Sequence, residues 1–228
     1  MTSKTMPNGY NLTKTKAEYE NFYANSDFRH FGWVDKVAVK AIIRRYQLQG
    51  MKLLDVGCGS GWYTYLSNEC GARAFGVDLA ETGIHAAKEH YTPKSYLVGD
   101  GLALPFRPNS FDAIFCSGFS PFNAQHLDTL NELGYHLFSL LKPSGLFIFR
   151  KTTDLSGRKG SRMNHTLETF EQYFVDLQVG VILDSYIESP LFWALMGRWA
   201  LSSVGTTLAR LFTKLTGIPS RALIIVRK

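Results

Sequence analysis

The stretch that most constrains this chain is Met51-Lys52-Leu53-Leu54-Asp55-Val56 followed at once by Gly57-Cys58-Gly59-Ser60-Gly61. The first six residues, mostly apolar, predict a short strand, and residues 62–68 predict the opening turns of a helix. A strand, a glycine turn and a helix in that order form half of a nucleotide-binding unit. The alternating glycines matter sterically, because a residue without a Cβ reaches positive φ and lets a ligand approach the main chain.

The spacing then selects among nucleotide ligands. A dinucleotide turn, G-x-G-x-x-G, needs glycine at position 62, where this chain has Trp62. The third glycine instead comes at Gly61, and Asp55 precedes the first. Asp-x-Gly-x-Gly-x-Gly resembles motif I of the class I methyltransferases that use S-adenosylmethionine (SAM). SAM has no pyrophosphate to seat on a helix N-terminus. Its amino-acid tail carries an ammonium and a carboxylate, which Asp55 and free backbone N–H groups at Gly57, Cys58, Gly59 and Gly61 are suited to hold.

The downstream motifs keep the same order. Residues 72–78 predict a second strand ending in Asp78, 78 − 61 = 17 positions after Gly61 and near the separation of a ribose-binding carboxylate. Asp78-Leu79 resembles the family's post-I motif; the competing role for Asp78 is an N-cap for a helix starting near Glu81. Residues 95–99 predict strand three, followed by Asp100-Gly101, where the resemblance implies an acid for the adenine amino group and an adjacent N–H for a ring nitrogen. The competing reading there is a plain Asp-Gly turn. Residues 110–116 match the family's Phe-Asp-apolar fourth strand, and its exit supplies Ser117 to the cofactor side and Phe119 to the acceptor side. The exit lacks the [NDS]-P-P-[YFW] motif that grips an amino group, which disfavours amino-methylating enzymes. A helix over 127–141, a Leu-Lys-Pro-Ser-Gly turn with Ser144 in place of a glycine, and strand five over 146–150 follow.

The flanks are less regular. Residues 1–16 are polar, residues 17–31 are dense in aromatics, and a helix is predicted over 34–47. Because the N-terminal segment of this family often covers the active site, Tyr19, Tyr23, His30 and Trp33 are candidate pocket residues. Candidate general bases are His126, His30 and Tyr23, with helix capping as the competing role for His126. The basic loop 153–164 offers Arg158 to an anionic group on the acceptor, although such loops are more often simply solvated. Residues 166–174 predict a helix, 179–186 strand six and 221–227 strand seven. Residues 190–215 form an apolar, largely helical insert that suits a cap over the acceptor pocket, a homodimer interface or a weak membrane contact.

The 228 residues, 45% of them apolar, suit one domain over 1–228 with a lid at 1–33. The expected fold is a Rossmann-like, seven-stranded, mostly parallel sheet of order 3-2-1-4-5-7-6 with strand seven antiparallel and helices on both faces. The net charge of +6 is spread without a Lys/Arg block, so no nucleic-acid partner is expected. Three cysteines without CxxC spacing suggest reduced thiols and no metal, and the N-terminus has no apolar signal core; together these suggest a cytoplasmic protein. The resemblance implies SAM as cofactor, S-adenosylhomocysteine (SAH) as product, and methylation of a small organic acceptor, on oxygen before nitrogen or carbon. An N- or C-methyltransferase for a lipid-like acceptor, a non-catalytic nucleotide- or partner-binding module and an NAD-dependent oxidoreductase are the alternatives.

Overall fold

Seven strands hydrogen-bond side by side in the order β3-β2-β1-β4-β5-β7-β6. They are β1 Lys52–Val56, β2 Arg73–Asp78, β3 Tyr96–Val98, β4 Phe111–Ser117, β5 Leu141–Thr153, β6 Val181–Glu188 and β7 Ser220–Arg227. The computed structural model describes residues 12–25, 33–92, 95–153, 165–216 and 220–228, apart from the side chains of 12–15, 33, 34, 190, 191, 194 and 198. The first five strands pair in parallel, and β7 is antiparallel to both β5 and β6. β1, β4 and β7 bury both faces, which is why their sequences read as continuous apolar runs.

One core layer lies between the sheet and helices α5 (Asn131–Leu140) and α6 (Leu167–Leu177), and includes Val56, Ile114, Phe147, Phe149 and Phe174. The other lies under α2 (Trp33–Arg45) and α3 (Trp62–Glu69), with Leu53, Phe115, Ile148 and Ile225. Helix α4 (Glu81–His90) closes the β2–β3 side, and α1 (Leu12–Asn25) packs on α4. Helix α1 thus starts inside the run whose polar composition predicted no element.

Two boundaries differ from expectation. The helix predicted over 127–141 divides into a 3₁₀ turn, Leu127–Leu130, and α5. β5 starts at Leu141 rather than 146, and its register against β4 shifts at this end, where Ser144 takes the left-handed φ of 63° that the family's glycine would adopt without strain. Between β6 and β7 lie α7 (Pro190–Met196), a 3₁₀ turn Gly197–Ala200 and α8 (Ser203–Thr216). α7 buries Trp193, whereas Leu195, Trp199, Val204, Leu208, Leu211 and Leu215 stay exposed. Among the described residues no helix is long and apolar enough to cross a membrane. The strand order reverses between β1 and β4, and the carboxyl ends there are where an open α/β sheet leaves a crevice.

Candidate functional site

The turn leaving β1 sits at that crevice. Gly57, Gly59 and Gly61 all adopt positive φ, of 73°, 55° and 85°. A Cβ on Gly57 would stand 2.6 Å from the Phe119 ring, and one on Gly59 would run into the Tyr23 hydroxyl, so both glycines are needed for close approach as well as for the turn. Gly61 serves packing instead: a Cβ there would meet Ala87 and Tyr96 at 2.7 Å.

The turn's N–H groups are already committed, which corrects the expectation that they stay free for a ligand's tail. Gly57 and Cys58 donate to the Val77 carbonyl and Gly61 to that of Cys58. Gly59 donates to Asp78 Oδ2 at 2.8 Å. Asp55 is corrected too. Its carboxyl is 1% exposed, accepts from the Thr64 hydroxyl at 2.6 Å and lines neither cavity described below. Burial pushes its pKa up to about 7, with Asp78 adding to the rise. Asp55 therefore ties the turn to α3 from behind and cannot touch a ligand in this arrangement.

Asp78 ends β2 with one oxygen on Gly59 N–H and the other on Ala80 N–H, 2.9 Å away. Burial raises its pKa, partly offset by these backbone bonds. It does not cap α4, whose N-cap is Ala80. That helix start is capped across the fold by Glu20 of α1, which accepts from the N–H groups of Glu81 and Thr82 at 2.8 and 2.9 Å and from the Thr82 hydroxyl at 2.6 Å. Despite some burial, these bonds hold the Glu20 carboxyl below its usual range.

Two cavities flank the turn. The first, of ≈ 90 Å³, is walled by Asp78 and Leu79 after β2, Asp100, Gly101 and Leu102 after β3, and Phe119 after β4, under Tyr19 and Tyr23 of α1. Asp100 Oδ1 accepts from Leu102 N–H at 2.9 Å, so the Asp-Gly step is a turn as well as a cavity wall. Ligand pockets span about 300–1,000 Å³, so the two tyrosines and Phe119 stand across this space in a shut arrangement. Burial, and then the nearby Asp78, raise the Tyr23 phenol well above its ordinary pKa, which removes it as a general base.

The second cavity, of ≈ 340 Å³, shares Tyr23, Gly57 and Gly118 with the first and adds Cys58, Gly59, Tyr63, Ser117, Arg150, Thr152 and Arg221. Strand register builds its charged wall. Arg150 and Thr152 alternate onto one face of β5, Arg221 of β7 stands opposite Thr152, and Glu188 of β6 stands opposite Arg221. Arg150, 1% exposed, donates from Nε to Glu188 and from a terminal nitrogen to Asp35 Oδ1 at 3.1 Å and to the Tyr63 hydroxyl at 3.0 Å. Burial opposes its charge, but Glu188, Tyr63 and Asp35 hold the guanidinium's pKa above its ordinary value. Trp193 of α7 donates to the other Glu188 oxygen at 2.9 Å, which anchors the insert to this cluster.

The remaining expectations fall elsewhere. His126 is exposed, precedes the Leu127–Leu130 turn without a side-chain cap bond and lines neither cavity, so the candidate base is corrected to a surface residue. His30, Arg158 and the Trp33 side chain lie outside the described residues. Sequence reasoning missed Glu20, Arg150, Arg221 and Lys151. Lys151, on the opposite face of β5 from Arg150, donates to the Phe119 carbonyl at 2.9 Å, and burial pulls its pKa down to about 8. The adjacent charges closing the apolar run 146–149 were the available signal for both β5 cations. Among the described residues no group of three or more His, Cys, Asp or Glu side chains is placed to hold a metal.

The sheet order, the alternating-glycine turn and the acid-tipped β2 and β3 define a Rossmann-like methyltransferase fold. A family model described as a methyltransferase domain matches residues 54–149. An uncharacterized methyltransferase of Mycobacterium leprae is 32% identical over 119 residues, 51% of this chain and 43% of that protein. The malonyl-[acyl-carrier protein] O-methyltransferase of Erwinia pyrifoliae is 27% identical over 162 residues, 71% of this chain and 56% of its own length. The chain thus spans about half the length of the curated relatives it matches. The crystal structure of an S-adenosylmethionine-dependent methyltransferase from Mesorhizobium loti shares the fold at a TM-score of 0.60 and 18% identity, covering 86% of this chain and 99% of that one. Residues 54–149 thus match a methyltransferase domain, and the chain has the fold of the SAM-dependent methyltransferases.

Proposed function

We propose that this protein transfers a methyl group from SAM to a small organic acceptor, with oxygen as the receiving atom. The observation that carries the reading is the pair of carboxylates, Asp78 and Asp100, on the wall of one cavity that meets a second at Gly57 of the glycine turn. These residues fit the cofactor. A carboxylate has about four lone-pair sites, so Asp78 can accept from both ribose hydroxyls while keeping its bonds to Gly59 and Ala80. Leu79, Leu102 and Phe119 supply apolar walls for a purine, and Asp100 an acceptor for its amino group. When bound, SAM supplies an activated methyl group on a sulfonium.

The chain's own contribution is placement: such alignment is worth up to about 7–11 kcal/mol. Helix α1, pinned to α4 by Glu20, acts as a lid that excludes water once Tyr19 and Tyr23 close over the ligand. Methylation of oxygen is supported by the absence of an amino-gripping motif after β4 and, distantly, by the O-methyltransferase relative.

Calorimetric titration with SAH tests the reading. Asp78→Ala should weaken binding about 10- to 100-fold, as loss of hydrogen bonds to a charged group predicts. An unchanged affinity would remove the ribose assignment.

A lipid-like acceptor is the second reading. It is favoured by the exposed apolar side chains of the insert, Leu195, Trp199, Val204, Leu208, Leu211 and Leu215, on a chain of net charge +6. Co-sedimentation with anionic vesicles would support a membrane contact, and a monomer–dimer equilibrium abolished by Leu211→Glu would assign the same face to a second copy.

A further inference from the structure

The wall of the second cavity has an uneven chemistry. Its titratable side chains are Tyr23, Cys58, Tyr63, Arg150 and Arg221. Burial raises the pKa of the two phenols and the thiol, so each keeps its proton, and the arginines never lose theirs. Among the described residues this wall therefore offers cations and donors but no general base. An alcohol or phenol acceptor would need such a base, whereas a carboxylate arrives already deprotonated.

The charges match that acceptor. Arg150 and Arg221 face the cavity, while their acids, Glu188 and Asp35, are not on its wall. Arg150 has donors fixed on three partners. Arg221 makes one ion pair among the described residues, at 3.0 Å to Asp35 Oδ1, an oxygen that also takes bonds from Tyr63 and Arg150. Its side chain is 32% exposed, and its planar fork of five N–H donors suits a carboxylate. Two arginines against two acids leave the cluster neutral. A sulfonium cofactor at the turn adds one positive charge, which a monoanionic acceptor cancels.

We propose that the second cavity is a carboxylate subsite in which Arg221, beside the hydroxyls of Thr152 and Ser117, holds an organic acid whose carboxylate is itself methylated. The inference rests on the methyl-transfer reading above. One acceptor oxygen forms a bond to the methyl carbon as the carbon–sulfur bond breaks and its electron pair stays on sulfur. The carboxylate becomes a neutral methyl ester, the sulfonium a thioether, and no proton moves. The product loses its charge and with it the attraction to Arg221, which favours release.

The experiment uses the full chain saturated with SAH, and compares thermal stabilisation by octanoate and phenylacetate with that by octanamide and phenylacetamide. Wild type should respond to the acids and not to the amides, and with SAM in place of SAH the acids should yield methyl esters detectable by mass spectrometry. Arg221→Gln should keep SAH affinity within about twofold and lose the acid response by about tenfold or more, the size of a charge-assisted hydrogen bond. Should Arg221→Gln fail to fold, Thr152→Val leaves every ion pair in place and should cut acid affinity about threefold, a neutral hydrogen bond's worth. Equal responses to acids and amides would overturn the proposal. So would a loss of SAH affinity in Arg221→Gln matching its loss of acid response, because the guanidinium would then serve the cofactor's own carboxylate. If wild type failed to bind SAH, both readings would fall; if it bound SAH but ignored the acids, only this one would.

Discussion

The two cavities beside the glycine turn are built in opposite ways. The first takes its wall from residues at or within two or three positions of the carboxyl ends of β1, β2 and β3: Gly57, Asp78-Leu79 and Asp100-Gly101. The second takes its charged wall from Arg150 of β5 and Arg221 of β7, which only sheet pairing brings together, with Tyr63 of α3 beside them. A local site is a matter of turn chemistry, whereas a dispersed one depends on the register of the whole sheet. The comparison therefore predicts that the second cavity is structurally the more demanding half.

The largest expected effect follows. Arg150→Met leaves Glu188 buried without its cation and Asp35 with Arg221 alone, and breaking one partner of a buried pair costs about 3–5 kcal/mol. Urea unfolding would measure it. A loss below about 1 kcal/mol, the size typical of exposed pairs, would break the comparison, since the dispersed wall would then carry no more stability than surface charges do.

Next in size is a pH effect behind the first cavity. The folded chain raises the Asp55 pKa from about 4 to about 7, with burial the main cause. Below pH 4 both states hold the proton. Between about pH 4 and 7 the unfolded chain releases it and the folded chain keeps it, so wild type loses about 1.4 kcal/mol per pH unit from this group. Asp55→Asn abolishes that slope, and asparagine still accepts from Thr64. Its stability relative to wild type should therefore rise across this window and level off above it. A difference independent of pH would show that Asp55 stays ionised, and would return it to the candidates for direct ligand contact.

The same contrast explains what could be read from the sequence. Strand order and the first cavity were legible because each signal sits within a few residues: Asp55 to Gly61, Asp78-Leu79, Asp100-Gly101. Even there, the motif located the turn but not which atoms were free. Asp55 proved to be buried behind it, and its N–H groups were spent on Val77, Cys58 and Asp78. Arg150 and Arg221 were hidden because each reads as the polar end of an apolar strand, and their adjacency exists only through the β5–β7 register. His126 misled by position: it follows β4 in sequence, yet it stands exposed in front of a 3₁₀ turn.

The smallest predicted effect separates the lid from the cavity it covers. Glu20 of α1 caps the start of α4, which has no side-chain cap of its own from Ala80. Glu20→Gln keeps one acceptor oxygen but loses the charge at a helix N-terminus, worth about 0.3–1 kcal/mol. Global stability should fall by no more than that. Because Tyr19 and Tyr23 ride on the same helix and stand across the ≈ 90 Å³ space, a looser α1 should open it more often. Stopped-flow binding of SAH should then show a higher association rate in Glu20→Gln, with an equilibrium affinity lowered less than in Asp78→Ala. An unchanged association rate would mean that the tyrosines move independently of the Glu20 contact, and that the first cavity opens by side-chain rotation alone.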